Sequence, residues 1–297
     1  MPRSVSALCS LLGYSRQALY QGWQQQEHEA YAEELLLQQI QTIRKTQKRL
    51  GGRKLLLMLN SFMQQHRIAI GRDCFFDLLA ANSLLIRKRK RNKPVTTNSY
   101  HRFRKYKNII RDFIPTGANQ LWVSDITYIT VCNGFAYLSL ITDAYSRKIV
   151  GFSVHHTLEA AGSIKALKMA LQNLPKQHTL IHHSDRGVQY CCNNYVKLLQ
   201  KNNIKISMTE KGDPLENAIA ERVNGILKDE LLEEQYNVFG TAQLAIATAV
   251  STYNHQRLHS SINYLTPVEA HHKTGSLVRH WKNYYTPKTK EVTMAET

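Results

Sequence analysis

A chain of 297 residues with 39 Lys and Arg against 22 Asp and Glu carries a formal charge of +17, and its 43 % hydrophobic content excludes a disordered basic tail. No apolar stretch approaches the ~20 residues that cross a bilayer, and no leader with a cleavage site opens the chain, so neither a membrane span nor secretion is expected. Five scattered cysteines without a Cys-x-x-Cys pair argue against a disulfide scaffold or a zinc site and predict a reducing, cytoplasmic setting.

Residues 5–24 read as two short helices about a turn. Val5, Leu8, Leu11 and Leu12 make an apolar face, Gly13 breaks it, and Ser15 is placed to cap a second helix carrying Leu19, Tyr20 and Trp23. A polar helix over 27–47 follows, with Leu36, Ile40 and Ile43 toward one side, and Gly51-Gly52 stops it. Two more helices are predicted over 53–62 and 72–81, so the front of the chain is all-helical and suited to presenting a helix to a DNA groove.

Beyond Pro115 the pattern changes. Leu121–Val131 is rich in Val, Ile, Thr, Tyr and Trp, Asn133-Gly134 is a hairpin turn signal, and 135–143 is a second strand. A strand over 146–154, a helix over 158–174, a strand over 179–183, a helix over 193–202 and a strand over 204–208 come next. A long helix over 215–234 and another over 241–255 complete the series. This order predicts an α/β fold: a mixed sheet with flanking helices. The boundaries expected are a helical region over 1–86, a basic linker over 87–117, a core over 118–275 and a tail over 276–297.

The charge is divided unevenly. Residues 1–118 hold 21 Lys and Arg against 7 Asp and Glu, whereas residues 119–297 hold 18 against 15. The densest cluster is Arg87-Lys88-Arg89-Lys90-Arg91, followed by His101-Arg102-Phe103-Arg104-Lys105-Tyr106-Lys107. Cations neutralise phosphates and aromatic faces stack on exposed bases, so a nucleic acid is the expected partner.

Three acids stand out by position: Asp125 inside the first strand, Asp185 directly after the fourth, and Glu221 on the long helix. Singly, each reads as a structural residue. Three converging carboxylates repel one another and need a counter-cation, and oxygen ligands favour Mg²⁺ or Mn²⁺. Two such ions per site would serve phosphoryl transfer. Asn217, Glu221, Asn224 and Lys228 are spaced 4, 3 and 4 apart and share one helix face, with Lys228 placed to hold a phosphate.

These residues resemble a known family. Trp122-x-x-Asp125-Ile126-Thr127-Tyr128, His183-Ser184-Asp185-Arg186-Gly187, Asn217-Ala218-x-x-Glu221, Lys228 and Tyr253-Asn254-x-x-Arg257-Leu258-His259 are similar to the DDE-type transposases of the insertion sequence 3 family, second-frame product, relatives of retroviral integrases. The resemblance implies an RNase H-like integrase catalytic core with Asp125, Asp185 and Glu221 as the catalytic, metal-binding triad. It implies that Lys228 engages element-end DNA and that residues 44–81 form a helix-turn-helix before the core. It implies cleavage and strand transfer on double-stranded DNA through a circular intermediate, a homodimer or larger synaptic assembly, and cooperation with an upstream-frame product. Two positions depart from the family: Glu216 stands where Asp is usual, and Leu258 where Pro is usual. DNA contacts are expected from Lys228, Asn217, Asn224, Arg87, Lys88, Arg89, Lys90, Arg91, Arg102, Arg104 and Lys105. Two rival readings remain at this point: an RNase H-like nuclease, and a non-catalytic DNA-binding remnant.

Overall fold

The computed structural model describes residues 4–87, 89, 101–132, 134–210 and 217–280. The chain divides into two compact units, Met1–Arg91 and Asn92–Thr297.

In the first unit, Ser4 caps α1 (Val5–Leu11), and Gly13, at φ +71°, turns the chain in the left-handed conformation that favours glycine. The Ser15 hydroxyl then accepts from Ala18 N (3.0 Å) and starts α2 (Arg16–Thr46). The second short helix and the polar helix expected from the sequence are one 31-residue helix, because the Gln- and Glu-rich residues between them contain no breaker. The apolar residues expected to pack over 5–24 do not: Leu8, Leu11, Leu12, Tyr20 and Trp23 are exposed, and Cys9 alone of α1 is buried. The core of this unit forms farther on. Leu36 and Ile40 of α2 pack with Leu55 and Leu59 of α3 (Gly52–Gln65) and with Phe75 and Leu79 of α4 (Arg72–Ala81).

The second unit is built on a six-stranded mixed sheet. Its strands are β1 (Leu121–Val131), β2 (Gly134–Asp143), β3 (Ile149–His155), β4 (Ile181–Ser184), β5 (Lys205–Met208) and β6 (Gln235–Tyr236). The order is β3-β2-β1-β4-β5, with β6 joined to the far end of β1. β1, β2 and β3 are an antiparallel meander, whereas β4 and β5 run parallel to β1. Helices cover both faces. Ile129, Leu138 and Leu140 pack against α8 (Ala218–Ile226) and α9 (Phe239–His255). Trp122 and Ile141 pack against α5 (Ala160–Gln172) and α7 (Asn193–Lys201), which follows the short α6 (Val188–Cys191). This arrangement is an RNase H-like α/β fold.

Three features differ from the sequence expectation. The long helix expected over 215–234 is shorter: α8 ends at Ile226 and passes into a π-helical turn, Leu227–Leu231, closed by Leu232 N donating to Leu227 O (2.8 Å). Residues 101–117 are not a free linker, since Ile109 N donates to Ser207 Oγ (3.1 Å) and Asn108 N to Glu210 Oε1 (3.2 Å). Phe103 and Tyr106, read as base-stacking aromatics, pack instead into the apolar cluster around Trp122 and leave Arg102, Arg104 and Lys105 exposed. The third feature is an unanticipated α10 (Pro267–His271), begun by a capping box between Thr266 and Glu269 with Pro267 in its first turn.

Two packing details fix the sheet. α5 lies so close over β3 that a Cβ on Gly151 would sit 2.2 Å from the Ala166 carbonyl oxygen. Gly151→Ala is therefore expected to destabilise the protein by about 3 kcal/mol, which denaturant titration measures; a loss below about 0.5 kcal/mol would show that the layers separate freely. At the edge of the sheet, Ile149 N donates to Asn254 Oδ1 (2.9 Å) and Asn254 Nδ2 donates to Ile149 O (2.9 Å).

Candidate active site

β4 pairs with β1 over three residues, Leu121↔Ile181 to Val123↔His183, and then ends at Ser184. Carrying that parallel register two residues further places Asp125 beside Asp185. Beyond Val123 the flank of β1 has no strand neighbour among the described residues until β6 pairs at Thr130. α8 fills the gap. Asn217 Nδ2 donates to the Ser124 carbonyl (3.0 Å), which the end of β4 would otherwise leave unsatisfied. Asn224 Nδ2 donates to Asp125 Oδ2 (2.7 Å), and Lys228 Nζ, in the π turn, donates to Thr127 Oγ1 (3.3 Å). One helical stripe thus addresses three positions of β1 in turn.

The stripe read from the sequence is real, but its members differ in what they face. Asn217 and Asn224 are buried and turn their amides inward, onto β1. Lys228 is half-buried, and its ammonium lies 4.6 Å from the Tyr128 ring centre. Glu221 is exposed in the first turn of α8. Arg87, Arg102, Arg104 and Lys105 are exposed and Arg89 is half-buried, whereas Lys88, Lys90 and Arg91 lie outside the described residues.

Asp125 accepts from Ile126 N through Oδ1 (2.9 Å), and Asp185 accepts from Gly187 N through Oδ1 (3.0 Å). A Cβ at Gly187 would lie 3.0 Å from that same carboxylate oxygen and 2.9 Å from Gln189 Oε1, so a side chain there would press on the Asp185 carboxylate. Burial, then the negative charge of Asp185 and, more weakly, that of Glu221, push the Asp125 carboxyl up to about 7; its bonds from Asn224 and Ile126 oppose this incompletely. Near neutral pH the site therefore carries more carboxylate than its own donors balance. The donor set is all oxygen, which fits a hard divalent cation such as Mg²⁺ or Mn²⁺. The two aspartates are neighbours and sense Glu221, yet no three acidic, His or Cys side chains among the described residues are gathered closely enough to hold a metal ion.

Beneath the aspartates is a polar network that the sequence did not single out. His182 is buried, with Nε2 2.7 Å from Ser124 Oγ and 2.9 Å from the Tyr195 hydroxyl, and burial pushes its imidazole down to about 3, so it is neutral. His183 Nδ1 lies 2.8 Å from Ser207 Oγ. Both histidines lie on β4, a strand buried along its whole length, but no sequence spacing links them to Ser124, Tyr195 or Ser207. Arg257 and Glu230 form a further buried contact, and no spacing in the sequence connects them either.

Residues 115–214 match the integrase core domain family, and residues 202–267 match a second family of the same description. The insertion element IS600 uncharacterized 31 kDa protein of Shigella sonnei is 34% identical over 267 residues, covering 88% of this chain and 96% of that one. The transposase InsF for insertion sequence IS3A of Escherichia coli is 34% identical over 167 residues, covering 55% of this chain, and this chain spans only 57% of its length. Among solved structures, the HTLV-2 integrase catalytic core domain in complex with magnesium is 21% identical and covers 52% of this chain and 98% of its own, at a TM-score of 0.41. No helix among the described residues is long and apolar enough to cross a membrane.

Proposed function

The chain belongs to the DDE transposases of the insertion sequence 3 family, enzymes of DNA transposition, and from that premise we propose that Asp125, Asp185 and Glu221 form its catalytic and metal-binding triad. The observation that carries the reading is the Asp125 carboxyl, held near neutrality between burial and two neighbouring acids. A buried anion in that position calls for a cation, and two Mg²⁺ or Mn²⁺ ions held by the triad would supply charge neutralisation of the phosphate and activation of the attacking oxygen. The protein's own residues do the positioning. Asn224 orients Asp125, the Gly187 amide orients Asp185, and Asn217 ties the start of α8, the helix that carries Glu221, to β1. Lys228, whose ammonium bonds Thr127 and lies over the Tyr128 ring, would turn to a phosphate oxygen of the DNA end.

The reaction proposed is hydrolysis at an element end that leaves a 3′-hydroxyl, followed by attack of that hydroxyl on a phosphodiester of a second duplex. The first step consumes water and cleaves one phosphodiester; the second forms one phosphodiester as it breaks another, releasing a 3′-hydroxyl of the target strand, and neither passes through a covalent protein intermediate. Also proposed are a basic, helical DNA-gripping front over residues 1–86 with a basic segment over 87–117, a synaptic assembly of at least two copies, and cooperation with an upstream-frame product. The test is strand transfer with labelled duplexes copied from the DNA flanking the gene, with Mg²⁺ or Mn²⁺ against a chelator. Joined products that need the metal support the reading; cleavage of RNA–DNA hybrids without joining would replace it with a nuclease. For Lys228, substitution by Ala is expected to lower affinity for the end duplex about tenfold at low salt and to reduce the slope of log K against log salt by about one. An unchanged slope would remove Lys228 from the DNA interface.

A further inference from the structure

Arg257 carries a buried charge that the chemistry above does not use. It is 1 % exposed, in the loop after α9. Its guanidinium grips Glu230 with two parallel bonds, Nε to Oε2 and Nη2 to Oε1, both 2.8 Å. Its remaining nitrogen, Nη1, lies 3.4 Å from the Leu258 carbonyl and 3.0 Å from Nε2 of His259, whose ring meets Tyr253 edge-on. Glu230 sits in the π-helical turn Leu227–Leu231, two residues after Lys228. Two stretches far apart in the sequence, Lys228-Asp229-Glu230 and Tyr253 to His259, thus meet through one planar fork.

Stability alone is a weak reason for such a pair. Replacing a buried ion pair by packed apolar side chains is often neutral, and its best-attested use is to fix a register. A register is what this turn needs. Its closing bond, Leu232 N to Leu227 O, spans one residue more than an α-helical bond. Slipping back to α-helical winding takes one residue out of the turn, an offset of about 100° between the segment that carries Lys228 and bonds Thr127 and the segment that follows. Glu230 meets the Arg257 fork in the π register.

We propose that Arg257 is a positioning residue, acting through Glu230 to lock the π register and so to aim Lys228 at a phosphate of the DNA end. The proposal rests on the reading of Lys228 given above. Neither Arg257 nor Glu230 touches the DNA.

The experiment measures the affinity of the full chain for a flanking-DNA duplex of about 30 base pairs across a salt titration. The variants are Lys228→Ala, Arg257→Lys, and the apolar pair Glu230→Leu with Arg257→Met, each also combined with Lys228→Ala. Arg257→Lys keeps the charge and loses the fork; the apolar pair removes both charges and guards against simple unfolding, which circular dichroism checks. Both are expected to lose about one from the salt slope and about tenfold in affinity, as Lys228→Ala does, and to lose nothing further once Lys228 is Ala. A purely structural pair would give the folded apolar variant the wild-type slope. That result, beside a reduced slope for Lys228→Ala, would overturn the clamp alone, as would losses that add to those of Lys228→Ala. An unchanged slope for Lys228→Ala itself would overturn the reading of Lys228 and the clamp with it.

Discussion

Asp125→Asn, Asp185→Asn and Glu221→Gln are each expected to cut metal-dependent strand transfer by about a thousandfold or more, about 4 kcal/mol in the barrier, while duplex affinity stays within about threefold. Each substitution keeps the size of the side chain and removes one negative charge. The loss therefore reports on the charge balance at the reacting phosphate, not on packing. DNA affinity is expected to be spared because the cations proposed to grip DNA, Lys228 among them, lie outside the triad. Single-turnover joining of labelled end duplexes gives the rate, and a gel-shift titration gives the affinity. Joining at the wild-type rate in any one variant would remove that residue from the triad.

The same substitution at Asp125 should move stability the other way. Its folded-state carboxyl sits at about 7, above its ordinary 3.8, because ionising it there means burying a charge next to Asp185 and Glu221. The folded protein thus holds the proton more tightly than the unfolded chain. The penalty is absent below about pH 4, grows as the pH rises toward 7, and is complete above that. Asp125 is half-buried, so about 2 kcal/mol is a reasonable size for it. Asp125→Asn abolishes the penalty, and the site accommodates it: the Asn224 amide, whose buried Oδ1 has no hydrogen-bond partner among the described residues, can turn over to accept from the new amide. At pH 8 without metal, Asp125→Asn is expected to melt about 5 °C above the wild type, and at pH 4 to show no gain. Millimolar Mg²⁺ or Mn²⁺ should raise the melting temperature of the wild type and not that of the variant. Calorimetry across pH, with and without metal, settles it; a variant less stable than wild type at pH 8 would sink the charge argument.

Much of this site was legible in the sequence because β1, β4 and α8 are short-range objects. A run of β-branched and aromatic residues marked Leu121–Val131, the Asn-Gly signal before β2 predicted a hairpin, and the 4, 3, 4 spacing from Asn217 to Lys228 found the stripe that lies along β1. Direction was not legible. Spacing says that four residues share a face, but only the missing partner of β1 beyond Val123 decides that Asn217 and Asn224 turn inward. Phe103 and Tyr106 failed for a related reason: an aromatic among cations has the same composition whether it stacks on a base or anchors a strand of chain to Trp122. The π turn was invisible, since Leu-Lys-Asp-Glu-Leu is good α-helical sequence and the fork that accompanies its register comes from Arg257, 27 residues farther on. The helices over 5–24 show the limit of pattern reading: an apolar face predicts a helix, and here that face meets no core.

The bonds between Asn254 and Ile149 bear on how copies of this chain can associate. β3 is an outer strand, and an outer strand ordinarily presents open peptide groups to which a strand from another molecule can add. The carboxamide of Asn254 has the same donor and acceptor as a peptide bond, and at Ile149 it takes the place such a strand would occupy. The start of β3 is thereby plugged by the protein itself. Growth of the sheet from one molecule into the next is blocked at that point, so a strand adding to β3 would have to begin beyond Ile149.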